Sequence, residues 1–139
     1  MKAADAIAEF HAANPVAFLA TTDGDRPYVR PMSPVEIDGE AVWMATGASS
    51  DKMSQVRACD EAELCYMKPD HSHLRLAGRL EVCDDAAKKT EAWNAYPMMH
   101  EYFKSPDDPE YVLLRFVVRE ARRMPAMSYA YEPLETSAS

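Results

Sequence analysis

The chain has 139 residues, the amount that builds one hydrophobic core, and residues 1–139 are expected to form a single domain. Its 15 Lys and Arg stand against 23 Asp and Glu, a formal charge of −8, which argues against a protein that coats nucleic acid or anionic lipid. With 47% hydrophobic and 27% charged residues, the composition is that of a folded globule and excludes a disordered or fibrous chain.

Residues 3–13 carry Ile7, Phe10 and several alanines at helical spacing, and Asn14-Pro15 stops the pattern, so a short docking helix opens the chain. Asp5, Glu9 and His11 interrupt its apolar runs where a signal peptide would carry its core, and no later run approaches the roughly 20 apolar residues of a membrane span. Residues 16–22 are apolar and β-rich, residues 23–27 form a turn, residues 28–37 are extended, and Asp38-Gly39 signals a hairpin into residues 41–46. The reading is a three-stranded meander whose middle strand contains Pro31 and Pro34, residues that remove ladder donors and belong at an edge or a bulge. A short helix over residues 50–58 follows, with Met53 and Val56 three apart, then strands at 62–68 and 73–83. Asp84 or Asp85 caps a helix running to Trp93 and Tyr96, a helical turn falls near residues 98–103, and a long strand spans 111–123. Residues 132–139 read as a mobile tail. Short connections between strands imply antiparallel pairing, hence a small closed or split barrel.

The three cysteines, Cys59, Cys65 and Cys83, are odd in number and show no C-x-x-C spacing, which speaks against a disulfide frame and a thiolate zinc site; a reducing cytoplasm is the expected location. The stretch from Thr46 to Lys52 joins a strand to a helix start and gathers hydroxyls, free amides and one ammonium at a helix N-terminus, the arrangement that cradles a phosphate. The plainer alternative is that Ser49 or Ser50 caps the helix and Lys52 is solvated. Arg30, in the proline-bearing strand, needs either an anionic partner or water at its tip. His71-x-His73 puts two imidazoles close together, but no third ligand is in view and no metal is assigned. Arg115, Arg119 and Arg123 describe a solvated or interface face rather than an RNA patch. The sequence contains no nucleophile elbow, P-loop, dinucleotide fingerprint or zinc-protease motif.

Taken together, Phe18-Leu-Ala-Thr-Thr-Asp-Gly-Asp-Arg-Pro-Tyr-Val-Arg30-Pro-Met32, then Asp38-Gly39, then Thr46-x-x-x-Ser50-x-Lys52, then Leu74-Arg-Leu-Ala-Gly78-Arg-Leu-Glu81 resemble the pyridoxamine 5′-phosphate oxidase-like family, in particular its short, general-stress-protein-like branch. The resemblance covers roughly residues 5–125. It implies a six-stranded antiparallel split β-barrel with flanking short helices, acting as a homodimer with FMN in clefts at the subunit interface. By the same resemblance Arg30 reaches the flavin phosphate region, Pro31 and Met32 line the ring edge, Thr46, Ser50 and Lys52 hold the phosphate, and His73 reaches the ring from a neighbouring strand. The implied activity is FMN-dependent oxidoreduction of a small molecule by an electron donor that the sequence does not identify, with catalytic residues unassigned. The alternatives are a non-catalytic flavin- or haem-binding stress or storage module and a deazaflavin-dependent reductase. Two departures stand out. Asp51 occupies the place of a second basic residue, and the oxidase's C-terminal Trp and Arg-x-His segment has no counterpart in residues 131–139.

Overall fold

The computed structural model describes residues 1–138. Helix α1 (Ala3–Ala13) buries Ala3, Ala6, Ile7 and Phe10, the i, i+3, i+4, i+7 stripe that faces a core, and ends at Asn14 ahead of Pro15. The strands are β1 (Ala17–Thr22), β2 (Pro27–Met32), β3 (Glu36–Asp38), β4 (Ala41–Gly47), β5 (Glu61–Met67), β6 (His73–Val82), β7 (Tyr111–Met124) and β8 (Glu132–Leu134). Helix α2 (Asp51–Ala58) joins β4 to β5, while α3 (Ala86–Ala95) and a 3₁₀ turn (Pro97–Glu101) lie between β6 and β7. Asp85 caps α3 by accepting the amide of Ala87. Among the described residues no helix is long and apolar enough to cross a membrane.

All strands belong to one antiparallel sheet in the order β2-β1-β5-β6-β7-β4-β3, with β8 added beside β7. The sheet is curled but not closed. Its two edge strands, β2 and β3, are consecutive in the chain and linked by residues 33–35 alone, a connection that spans at most about 14 Å. The edges must therefore approach each other there, which rolls the sheet into a split barrel. Pro31 lies in the edge strand β2 and Pro34 in the link to β3, positions where a missing amide donor costs no ladder bond inside the sheet.

Two expectations are corrected. The meander breaks at residues 33–35: β4 pairs with β3 and with β7, never with β2. The count is eight strands rather than six, because the proline-bearing segment divides into β2 and β3 and because residues 132–134, expected in a loose tail, pair with Ala121, Arg122 and Arg123 of β7. Glu135 extends this pairing through a bridge to Lys2, and Ser137 bonds to Glu40.

The barrel interior holds Ile7, Phe10, Leu19, Met44, Leu64, Tyr66, Leu74, Leu76 and Phe116, capped by α1 and by Met53 and Val56 of α2. A second cluster, Ala92, Met99, Phe103, Tyr111 and Leu113, lies on the outer face of β4 and β7 under α3 and the 3₁₀ turn. Three of the four arginines of β7 meet carboxylates on the sheet surface, Arg115 pairing with Glu81, Arg119 with Glu61 and Arg123 with Glu132, while Arg122 lies over the Tyr131 ring. Exposed pairs of this kind contribute little to stability.

Candidate functional site

The site is built where the barrel is split. Arg30 shares a face of the β1–β2 ladder with its register partner Leu19 and turns inward beneath α2. Its Nη1 donates to Thr21 Oγ1 at 2.7 Å and to the Leu19 carbonyl at 3.2 Å, and its Nη2 donates to Gln55 Oε1 at 2.7 Å. The Thr21 hydroxyl donates to the same Gln55 oxygen at 2.6 Å, and both Thr21 and Gln55 are buried. This network fixes the guanidinium through neutral acceptors, leaving its charge uncompensated.

Lys52, in the first turn of α2, donates through Nζ to Thr46 Oγ1 at 2.8 Å, and the Thr46 and Ser50 hydroxyls are 3.2 Å apart. Ser50 occupies the N-cap of α2 without capping it by its side chain, so its hydroxyl belongs to the Thr46–Lys52 group. Among the described residues neither Arg30 nor Lys52 forms an ion pair with a carboxylate. Burial lowers the pKa of both; for Lys52 the nearby positive charge of Arg30 is the second cause, opposed by Asp51. The two cations thus lie within electrostatic reach of each other, a juxtaposition that an anion would relieve.

Two cavities meet at Lys52. One, of about 510 Å³, is lined by Arg26, Arg30, Asp51, Lys52 and Gln55 together with Pro27, Tyr28 and Val29. The other, of about 470 Å³, is lined by Pro31, Met32, Tyr96, Met98, Tyr102 and Phe103, together with Thr46, Lys52 and Glu110. Lys52 thus lines both a cavity that holds two cations and one walled largely by apolar and aromatic side chains, a combination complementary to a flat ring system that carries a terminal anion. Asp51 borders the polar compartment as an exposed side chain, and its electrostatic effect on Lys52 ranks behind burial and Arg30.

The structure brings Arg30, Pro31, Met32, Thr46, Ser50 and Lys52 together. It does not bring His73 to them. That side chain packs edge-on against Tyr131, its Nε2 lies 2.9 Å from the Tyr131 hydroxyl, and its Nδ1 lies 3.2 Å from the His71 carbonyl oxygen. Sequence reasoning missed Thr21 and Gln55, which anchor Arg30, and the aromatic wall from the segment between α3 and β7. Tyr96 and Met98 did carry a signal, as large side chains beside Pro97 in an irregular stretch, but nothing local indicates which strand they cover.

The "Pyridoxamine 5'-phosphate oxidase like" family profile matches residues 2–129. No curated protein matches the chain. Among solved structures, a protein from Clostridium acetobutylicum related to general stress protein 26 superposes with a TM-score of 0.79 at 19% identity, over 93% of this chain and 92% of that one. A pyridoxamine 5′-phosphate oxidase-related, FMN-binding protein from Nostoc punctiforme gives 0.74 at 18% identity, over 93% and 86%. A haem-binding protein from Mycobacterium smegmatis gives 0.78 at 16% identity, over 96% of this chain and 57% of that one. At these identities the superpositions establish the fold, and the profile, spanning nearly the whole sequence, establishes the kinship: the chain belongs to the pyridoxamine 5′-phosphate oxidase-like family.

Proposed function

We propose that the chain is an FMN-dependent oxidoreductase acting on a small molecule. The observation that carries this reading is the pair of partly desolvated cations, Arg30 and Lys52, which line one cavity without an ion-pair partner among the described residues, Lys52 also lining a second, largely apolar cavity of ring size. Arg30, Lys52 and the Thr46 and Ser50 hydroxyls would hold the phosphate of FMN, with Pro31 and Met32 beside the ring. FMN, when bound, supplies the hydride-accepting ring that the protein lacks. The chain's own residues position that group and exclude water from its apolar side. Anaerobic reduction of the flavin-loaded protein by NADH or NADPH tests the assignment: reduction followed by reoxidation with an added acceptor is expected, and failure with every common donor would favour a flavin-storage module.

The haem reading receives less support from this site. His11 lies against Tyr66, His73 against Tyr131 and His100 against Trp93, and no imidazole lines either cavity. A deazaflavin with an extended anionic tail calls for a long basic groove, which the charge of −8 does not favour. Parallel titration of the apo-protein with FMN, haemin and a deazaflavin cofactor separates the three.

The proposed pH dependence follows from Lys52. Phosphate capture needs the ammonium form, and burial sets the Lys52 pKa below its ordinary value of 10.5. FMN affinity is expected to fall as pH rises on the alkaline side of neutrality, starting earlier than an ordinary lysine would dictate, while riboflavin, which lacks the phosphate, loses none of its affinity over the same window. Fluorescence titrations of both ligands across pH check this.

The homodimer belongs to the same proposal. Phe18, Val29 and Met67 are exposed, and Phe18 pairs across the ladder with Pro31 and Cys65, giving β1, β2 and β5 an apolar outer face next to the cleft. A second copy is the expected cover. Sedimentation at micromolar concentration should report a dimer, and Phe18→Glu should shift it toward monomer and weaken FMN binding; a stable wild-type monomer would remove the shared-cleft picture.

A further inference from the structure

Glu110 is the residue just before β7, and none of the motifs discussed above contains it. Its backbone is pinned: its amide donates to Asp108 Oδ1 at 2.9 Å, and the next residue, the buried Tyr111, donates its amide to the Asp108 carbonyl at 2.9 Å. Tyr111 is the register partner of Gly47, so the β4–β7 ladder sets Glu110 beside the loop that leads from β4 into α2. Glu110 holds that loop at three points. Its carbonyl accepts the Ala48 amide at 2.9 Å, and its Oε1 accepts both the Ser49 amide at 2.8 Å and the Ser49 hydroxyl. The carboxylate also lies against Gly47, where a Cβ would sit 3.0 Å from Oε1. The next residue in the loop is Ser50, and the clamped segment lies between Thr46 and Lys52.

We infer that Glu110 is a positioning residue for the anion cradle: by fixing Ala48 and Ser49 it sets the placement of Thr46, Ser50 and Lys52 relative to one another. This rests on the phosphate-binding reading of that cradle. The Ser49 hydroxyl and amide hold the Glu110 carboxyl below the ordinary carboxylate range, so the clamp is ionised at neutral pH. That negative charge near a proposed anion site has no attraction to offer the ligand. Its contribution is geometric, and an uncharged side chain with the same acceptor oxygen should replace it.

The test compares Glu110→Ala with Glu110→Gln, using FMN and riboflavin as paired probes of the full-length apo-protein. Glu110→Ala is expected to weaken FMN by about tenfold and to leave riboflavin nearly unchanged, the scale of losing hydrogen bonds that order one loop. Glu110→Gln, whose Oε1 can still accept from Ser49, is expected to hold FMN within about twofold of wild type or more tightly. Three results would overturn the inference: wild-type FMN affinity in Glu110→Ala, an equal loss for riboflavin, or a Gln variant as weak as the Ala variant. Lys52→Ala measured alongside keeps the two claims apart. If Lys52→Ala fails to separate FMN from riboflavin, the cradle reading itself fails; if it separates them and Glu110→Ala does not, only the role of Glu110 is lost.

Discussion

Lys52→Ala is expected to lower FMN affinity by about ten- to a hundredfold, or roughly 1.5–3 kcal/mol, and to leave riboflavin binding nearly unchanged. The size follows from the setting. The ammonium is partly withdrawn from water, hydrogen-bonded to the neutral Thr46 hydroxyl and within electrostatic reach of a second cation, so a phosphate there meets a charge that solvent screens weakly. The substitution leaves the Thr46 and Ser50 hydroxyls as partners for each other, which limits collateral damage. Arg30 is a less clean probe. Its guanidinium also satisfies Gln55 and Thr21, both buried, so truncating it would mix a binding loss with the cost of stranding polar groups in the core. Ligand-fluorescence titration with FMN and riboflavin decides the matter, because only the phosphate differs between them.

A second large effect is expected in the scaffold. Between β6 and β7 the register slips: Ala77 pairs with Glu120 and Gly78 with Val118, leaving Arg119 as the extra residue of a bulge. At that point the backbones approach so closely that a Cβ on Gly78 would lie 1.9 Å from the Val117 carbonyl oxygen. No rotamer relieves such an overlap, since both atoms belong to rigid parts of the chain. Gly78→Ala is expected to cost about 3 kcal/mol or more and to lower Tm by ~10 °C. Gly39→Ala is the control. It meets nothing within 4 Å and is strained solely by its φ of +59°, so about 1 kcal/mol is expected there. Thermal unfolding of both variants tests the ordering, and a Gly78→Ala protein as stable as wild type would show that the bulge can open without penalty.

The elements that were legible in the sequence are those whose information is local. The stripe Ala3, Ala6, Ile7, Phe10 specifies α1, the alternation from His73 onward specifies β6, and Asp38-Gly39 marks the β3–β4 hairpin. The prolines at 31 and 34 correctly place an edge there, yet they do not reveal that the edge is two strands on opposite rims of the sheet. That outcome depends on β4 finding β7, a pairing between segments some seventy residues apart. Residues 132–134 misled for the same reason: a segment containing Pro133 is a poor strand by itself, and it is held by β7 and by the bridge from Glu135 to Lys2.

The site divides in the same way. Thr46, Ser50 and Lys52 are close in sequence and close in space, so their convergence at a helix start could be read directly. Arg30 joins them because Gln55 and Thr21 tie β2 to α2 and β1, and Glu110 joins them across the β4–β7 ladder. Neither tie leaves a local trace, since a lone Gln or Glu in an acidic chain has many ordinary explanations. The grouping of His73 with the cleft, implied by family resemblance, is not seen within one chain, where that side chain is engaged with Tyr131.

If Lys52 and Arg30 hold the phosphate of a flavin, wild-type binding must depend on that phosphate. Calorimetric titration of the wild-type apo-protein with FMN, repeated with riboflavin, tests it most directly. Saturable binding near one FMN per chain is expected, with riboflavin weaker by about tenfold or more, the difference arising from the phosphate contacts of Lys52 and Arg30. Equal affinities for the two ligands, or no binding of FMN at all, would contradict it.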